Sequence, residues 1–248
     1  MGISAVILTH NNEDTLAATL ESLKFCDEIL VIDDHSKDLT SSVAEKTGVI
    51  VYPHGLDGNF ATQRNFGLSK ARGEWVLFVD SDEVVSNALA HEIQEAVQKV
   101  DSNGFYLKRQ DVMWGKPLRH GETQNVRLLR LAKKGKGLWQ RPVHEVWNIT
   151  GVVGTLQSPF RHTPHPDVAH FLDDINTYST MNATHFFHEG IRVSGWQIVA
   201  YPVGKFIQNY ILRQGFMDGM PGIVVALMMS FHSFLTRAKL WQLQQNHG

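Results

Sequence analysis

The chain holds one cysteine, Cys26, in 248 residues, so it can form no internal disulfide, and no Cys/His spacing in it resembles a zinc site. A reducing compartment suits such a chain, with Cys26 as a small core residue. Charge of one sign is also lacking. The 23 Lys and Arg nearly balance 25 Asp and Glu, leaving −2 with the 13 His neutral, so nucleic acid is not an expected partner. No G-x-G-x-x-G follows the first apolar run and no G-x-x-x-x-G-K-[ST] occurs, which argues against a dinucleotide dehydrogenase and a P-loop NTPase. No basic leader precedes the opening run Ile3-Ser4-Ala5-Val6-Ile7-Leu8, and a cytoplasmic protein is the expectation. Repeats and low-complexity segments are missing as well.

What is present is most telling at Trp75-Val76-Leu77-Phe78-Val79-Asp80-Ser81-Asp82-Glu83, where an apolar, β-favouring run stops abruptly in three carboxylates. That reads as a buried strand with an acidic pocket at its carboxyl end. In an open α/β sheet ligands bind at the carboxyl ends of the strands, where a hard cation and a phosphorylated ligand would meet. Acidic turns after strands are common, so the neighbouring segments decide the meaning.

Strand-like runs at 3–9, 28–33, 49–53 and 74–80 alternate with helical patterns at 13–24, 38–46, 60–71 and 87–99. The alternation predicts a mostly parallel, doubly wound α/β sheet flanked by helices. Segments 104–109, 126–131 and 143–153 read as further short strands, so the second half is mixed. From about 167 the pattern is helical, with interruptions at Tyr201-Pro202 and Gly219-Met220-Pro221-Gly222. The expected division is a catalytic domain at 1–165 and a helical C-terminal region at 166–248.

The strand ends converge on polar groups: Thr9-His10-Asn11-Asn12-Glu13 after the first, Asp33-Asp34-His35-Ser36 after the second, and Asp80-Ser81-Asp82-Glu83 after the fourth. Helix capping by Ser36 or Asp38 explains one acidic residue at the second strand end, not the two before it.

Four motifs in order, Val6-Ile7-Leu8-Thr9-His10-Asn11, Val31-Ile32-Asp33-Asp34-His35-Ser36-Lys37-Asp38, Gln63-Arg64-Asn65-Phe66-Gly67 and Phe78-Val79-Asp80-Ser81-Asp82-Glu83, resemble those of glycosyltransferase family 2, which has the GT-A fold. The resemblance covers roughly 3–165. Arg141-Pro142-Val143-His144-Glu145 and Phe160-Arg161-His162 resemble its bacterial lipopolysaccharide-core glucosyltransferase branch. It implies a nucleotide-sugar half at about 1–100 and an acceptor half at about 101–165.

The resemblance also implies roles. Thr9, Asn11 and Asp34 would contact the nucleoside, a carboxylate being an acceptor for the uracil imide N–H. Asp33 and Ser81 would stand beside them, and Arg64 would donate to the base or phosphate. Asp80 would meet the ribose or a metal-bound water, and Asp82 would bind Mg²⁺ or Mn²⁺, with His162 as a further ligand. Many family members take the acceptor proton with an Asp of a Glu-Asp pair. Here His144-Glu145 stands in that place, with Glu145 the candidate base and His144 orienting it. Glu83 is expected to support the metal motif from behind.

Trp114, Trp139 and Trp147 fall in the acceptor half as candidates for stacking on sugar, although aromatics at strand positions are more often core. The apolar tail stretch at 222–235 is shorter than the roughly 20 residues a span needs. With Lys205, Arg213, Arg237, Lys239 and nearby Trp and Tyr, the region 205–241 suits a membrane interface, or else a helix packed on the catalytic domain or in a homodimer.

The combined expectation is an inverting, metal-assisted transferase that takes sugar from a UDP-linked donor to a glycan or glycolipid acceptor of cell-envelope or lipopolysaccharide synthesis. It would work in the cytoplasm, peripherally at the cytoplasmic face of the inner membrane. A nucleotidyltransferase would need a Gly-rich or basic loop after the first strand, which Thr9-His10-Asn11-Asn12-Glu13 is not. A non-catalytic nucleotide-sugar or membrane-binding module is the remaining alternative.

Overall fold

The computed structural model describes residues 2–98, 101–142 and 145–246. They form two compact units, Met1–Arg109 with Asn125–His162, and Gln110–Gln124 with Thr163–Gly248.

The first unit begins with β1 (Ile3–Thr9), α1 (Leu16–Ser22), β2 (Glu28–Asp33), α2 (Thr40–Lys46), β3 (Ile50–Pro53), α3 (Phe60–Lys70) and β4 (Trp75–Asp80). After β5 (Glu83–Val85) and α4 (Asn87–Ala96) comes β6 (Gly104–Met113), whose residues from Gln110 belong to the second unit, as does β7 (Lys116–Pro117). The first unit then resumes with β8 (Arg127–Lys133), β9 (Gly137–Gln140), β10 (Val146–Ile149) and β11 (Val153–His162). The main sheet runs β3-β2-β1-β4-β8-β6-β11-β5. Its first four strands pair in parallel, and β8 joins β4 antiparallel. The register sets Thr9 beside Asp33 and Leu8 beside Asp80, so three strand ends meet at one edge.

Alternation along the strands explains the continuous apolar runs. Ile3, Ala5, Ile7, Trp75, Leu77 and Val79 enter a core with α1 and α4, while Val6, Leu8, Val76 and Phe78 enter another with α3 and the β9–β10 pair. Both faces are covered, so the runs are apolar almost throughout, with Ser4 a buried polar exception inside β1. Each fully buried Leu or Ile contributes about 1.5–3 kcal/mol. Asn59 and Ser86 cap α3 and α4 by accepting the amides of Thr62 and Leu89. Gly67 in α3 is required by close packing, because a Cβ there would lie 2.5 Å from Val6 Cγ1.

Some expectations shift. The single strand read at 143–153 is β10 and the start of β11, while β9 and β5 were not foreseen. Helix α1 begins at Leu16 rather than near 13 because the Asn12 amide donates to Thr40 at the start of α2 and the Glu13 amide to Asp38 just before it.

In the second unit α5 (Val168–His188) and α6 (Gly195–Phe206) are followed by a π-helical stretch (Ile207–Leu212), a 3₁₀ turn (Gly215–Asp218) and α7 (Met220–Asn246). Segment 110–124, read from sequence as part of the acceptor half, groups with these helices. Met113 and Leu118 pack with Phe171, Ile175 and Val225, and Asp218 accepts the amides of Arg119 and His120. Helix α6 runs through Pro202. Gly222 is needed where α7 begins, since a Cβ there would sit 1.9 Å from the Gly215 carbonyl oxygen. The apolar tail is one continuous 27-residue helix, long and apolar enough to cross a membrane by length and composition alone.

Candidate active site

The loops after β1 and β2 are stitched into one platform. Asn11 adopts a left-handed φ of 53°, a conformation Asn tolerates. Its amide donates to Ser36 Oγ, and its side-chain oxygen accepts the Lys37 amide at 2.8 Å. Asn12 Oδ1 accepts the Ser81 hydroxyl at 2.7 Å, tying this loop to the end of β4. Buried Thr9 accepts the Asp34 amide on its carbonyl. The sequence candidates at this edge therefore lie together, with much of their bonding capacity engaged within the platform.

The paired aspartates divide. Asp33 is buried, and its carboxylate accepts the hydroxyls of Ser36 and Ser41. Asp34 stays partly exposed, accepting the Leu56 amide at 2.8 Å with its other oxygen 3.6 Å from His10 Nδ1. Asp34 is thus the more accessible carboxylate of the pair.

Beneath the end of β4 lies a buried charge cluster. Arg64, on α3, is 3% exposed. Its Nη2 donates to Asp80 Oδ1 and its Nε to Glu145 Oε1, both at 2.9 Å. Arg130, on β8, donates to both Asp80 oxygens and lies 3.6 Å from Glu83. Burial pushes the Asp80 carboxyl up, but Arg130 and Arg64 outweigh it and hold the group well below the usual carboxylate range. Glu83 moves the other way. Burial, with Asp80 and Asp82 nearby, pushes it up to about 7 against the pull of Arg130. One Glu83 oxygen accepts the Asp80 amide, and the other has no hydrogen bond among the described residues. Arg64 Nη1 is likewise a buried donor without a partner among the described residues.

Asp82 projects from the turn between β4 and β5. The β5–β11 pairing sets His162 beside Glu83, which brings His162 Nε2 to 3.3 Å from Asp82 Oδ2. An aspartate oxygen and an imidazole nitrogen so placed suit a divalent cation that takes its other ligands from a diphosphate and water. No group of three or more metal-ligating side chains occurs among the described residues. Asp80, expected at the ribose or a metal-bound water, carries two guanidiniums, Oδ1 accepting from both and Oδ2 from Arg130 alone.

Other expectations are corrected. Trp139 and Trp147 stack on each other at 5.2 Å and are buried, with Phe78 edge-on to both. Neither offers a free face to sugar. Trp139 instead forms a shelf 4.8 Å from the Arg64 guanidinium. Trp114, at the β6–β7 turn of the second unit, is partly exposed. His144 lies outside the described residues. Sequence reading missed Arg130, although a cation inside the apolar run Leu128-Leu129-Arg130-Leu131 signals a buried partner. It also missed Asn12, whose signal is weak because loop asparagines are common.

The model of the family described as glycosyl transferase family 2 matches residues 4–152. The lipopolysaccharide core biosynthesis glycosyltransferase LpsC of Rhizobium meliloti is 27% identical over 97% of this chain and 92% of its own length. An uncharacterised glycosyltransferase of Rickettsia conorii is 25% identical over 96% and 89%. Among solved structures, S. aureus TarS 1-349 in complex with UDP-GlcNAc superposes over all of this chain and 92% of that chain, with TM-score 0.51 and 14% identity. At that identity the likeness speaks to the fold, which is that of GT-A glycosyltransferases. With the family model matched across the strand-end platform and the charge cluster up to Glu145, the chain belongs to glycosyl transferase family 2.

Proposed function

We propose that this glycosyltransferase moves a sugar, with inversion, from a UDP-linked donor to a glycan or glycolipid acceptor of cell-envelope or lipopolysaccharide synthesis, assisted by Mg²⁺ or Mn²⁺ in the cytoplasm. The observation that carries the reading is the Arg64 bridge, which holds Asp80 and Glu145 in one cluster at the strand ends beside the Asp82–His162 pair. The named relative LpsC supports the choice of product class, and the UDP-GlcNAc complex of TarS supports the donor class.

In this reading Asp34 accepts from the uracil imide, and Thr9, Asn11, Asp33 and Ser81 shape the platform beneath the nucleoside. Asp80, held ionised by its two arginines, accepts from the ribose. Asp82 and His162 would hold the cation, which neutralises charge on the departing diphosphate. Glu145 takes the proton of the acceptor hydroxyl as its oxygen attacks the anomeric carbon. The bond from that carbon to the diphosphate breaks, and its electron pair leaves with UDP. Arg64 fixes the direction of the Glu145 carboxylate through the Nε bond, and the neighbouring His144 would serve the same end. The catalytic domain divides accordingly, with the nucleotide edge in the first hundred residues and acceptor recognition falling to later segments.

The test is calorimetric titration of UDP, GDP and a panel of UDP-sugars into the protein, with and without Mn²⁺, beside Asp82→Asn. Binding of a uridine nucleotide that strengthens with Mn²⁺ in the parent alone supports the reading. A folded protein that binds none of them refutes it.

A further inference from the structure

The second unit carries an apolar face that no described residue covers. Along α6 and the π-helical stretch, Trp196, Val199, Val203, Ile207 and Ile211 recur at three- and four-residue spacing, and all are exposed, Trp196 by 67% and Val199 by 66%. That spacing puts them on one stripe. The opposite side of the same helix holds buried Pro202 and Asn209 and packs on the unit. Leu212, Phe216 and Met217 continue the exposure into the 3₁₀ turn. Within the stripe there is no charged residue.

Charge around the stripe is segregated by element. From 190 onward the chain holds Arg192, Lys205, Arg213, Arg237 and Lys239 against one acid, Asp218. Asp218 is itself turned inward onto Arg119 and His120. Residues 163–189 hold four acids and no Lys or Arg. Glu122 pairs with Lys205 at 2.8 Å and lies 3.7 Å from Arg213, anchoring both near the root of the stripe. The aromatics carry polar tips or cations: Trp196 opens α6, and the Arg237 guanidinium lies 4.0 Å from the Tyr201 ring centre.

We infer that α6 and the turn after it dock the protein, in plane, on a bilayer surface bearing anionic phospholipid headgroups. An apolar stripe without charge, flanked by cations and amphipathic aromatics, matches the layered chemistry of a bilayer interface. A second copy docked stripe to stripe fits less well, because its own flanking cations would meet like charge. The docking concerns α6 rather than insertion of α7, which packs on both α5 and α6. It stands apart from the sugar chemistry, so vesicle binding is read without any substrate and its failure leaves the transferase reading intact.

The experiment is flotation of the full chain with vesicles of phosphatidylcholine alone and of phosphatidylcholine with phosphatidylglycerol. It is run beside the Val199→Glu/Val203→Glu double variant and a Leu138→Glu control on an exposed position of the first unit. Binding to the anionic vesicles at least tenfold above the neutral ones is expected, reversed by high salt, lost at least tenfold in the double variant and kept in the control. Circular dichroism establishes that both variants are folded. Equal flotation of parent and double variant overturns the proposal. So does absence of binding by the parent, or a parent dimer that the double variant dissociates without any vesicle binding. Release from vesicles only by detergent overturns it in favour of α7 insertion.

Discussion

Arg64 and Glu145, 81 residues apart in the chain, are joined by a 2.9 Å ion pair whose guanidinium also grips Asp80. The arginine rather than either carboxylate is the hub. Removing it by Arg64→Ala leaves two carboxylates short of a cation and costs about 3–5 kcal/mol. Arg64→Lys keeps the charge but not the fork, so it recovers less than half of that loss. Urea unfolding of the three proteins measures it. Equal stability of all three would show that Arg64 is not the hub.

Glu145 can be separated from its structural partner. Glu145→Gln retains an oxygen for the Arg64 Nε–H but cannot accept a proton, so turnover falls by about 10²–10⁴ while donor affinity and the unfolding midpoint hold. Single-turnover transfer and UDP calorimetry on one preparation read both. An unchanged turnover assigns the base elsewhere.

The Asp82–His162 pair predicts a metal effect that nucleotide binding reads directly. Mn²⁺ raises UDP affinity in the parent by tenfold or more, about 1.4 kcal/mol, and a chelator reverses it. In Asp82→Asn the affinity without metal is unchanged and the increment vanishes. An increment of full size in the variant would remove Asp82 from the set.

The sheet and its polar strand-end edge were legible because period-2 burial on both faces leaves long apolar runs, and the acids that end them stand out. The partners of those acids were not. Arg130 reaches Asp80 from a strand 50 residues later, and Arg64 reaches Glu145 from a helix, contacts that only the fold creates. Trp139 and Trp147 misled for a related reason. A strand shows alternation but not which of its faces is covered, and here the β9–β10 pair lies against Phe78. The helical character of the tail was legible, but Tyr201-Pro202 and Gly219-Met220-Pro221-Gly222 look like breaks, whereas α6 runs through Pro202 and Gly222 marks close packing where α7 begins.

The corrected place of the tryptophans is itself testable. Trp147→Ala empties a stacked, buried site and costs about 3–5 kcal/mol. Trp114→Ala, at an exposed turn, costs less than about 0.5 kcal/mol. Thermal unfolding ranks them, and a Trp147 variant as stable as the parent would contradict the packing.

His232, on α7, gives the second unit a pH dependence of known sign. Burial, with Lys205 close by and Lys239 and Arg237 beyond it, lowers its pKa below 6.5, against the weaker opposing pull of Glu122. The unfolded chain takes up this proton first as pH falls through about 6.5, so it binds more protons than the folded chain there, and stability rises with pH across that window. His232→Gln removes this contribution, so the parent loses stability relative to the variant as pH drops from 8 to 5. Urea unfolding of both proteins along that series measures the difference. A flat difference, or one of opposite slope, would mean that the fold tolerates the charged imidazole and that the cations around it are screened by solvent.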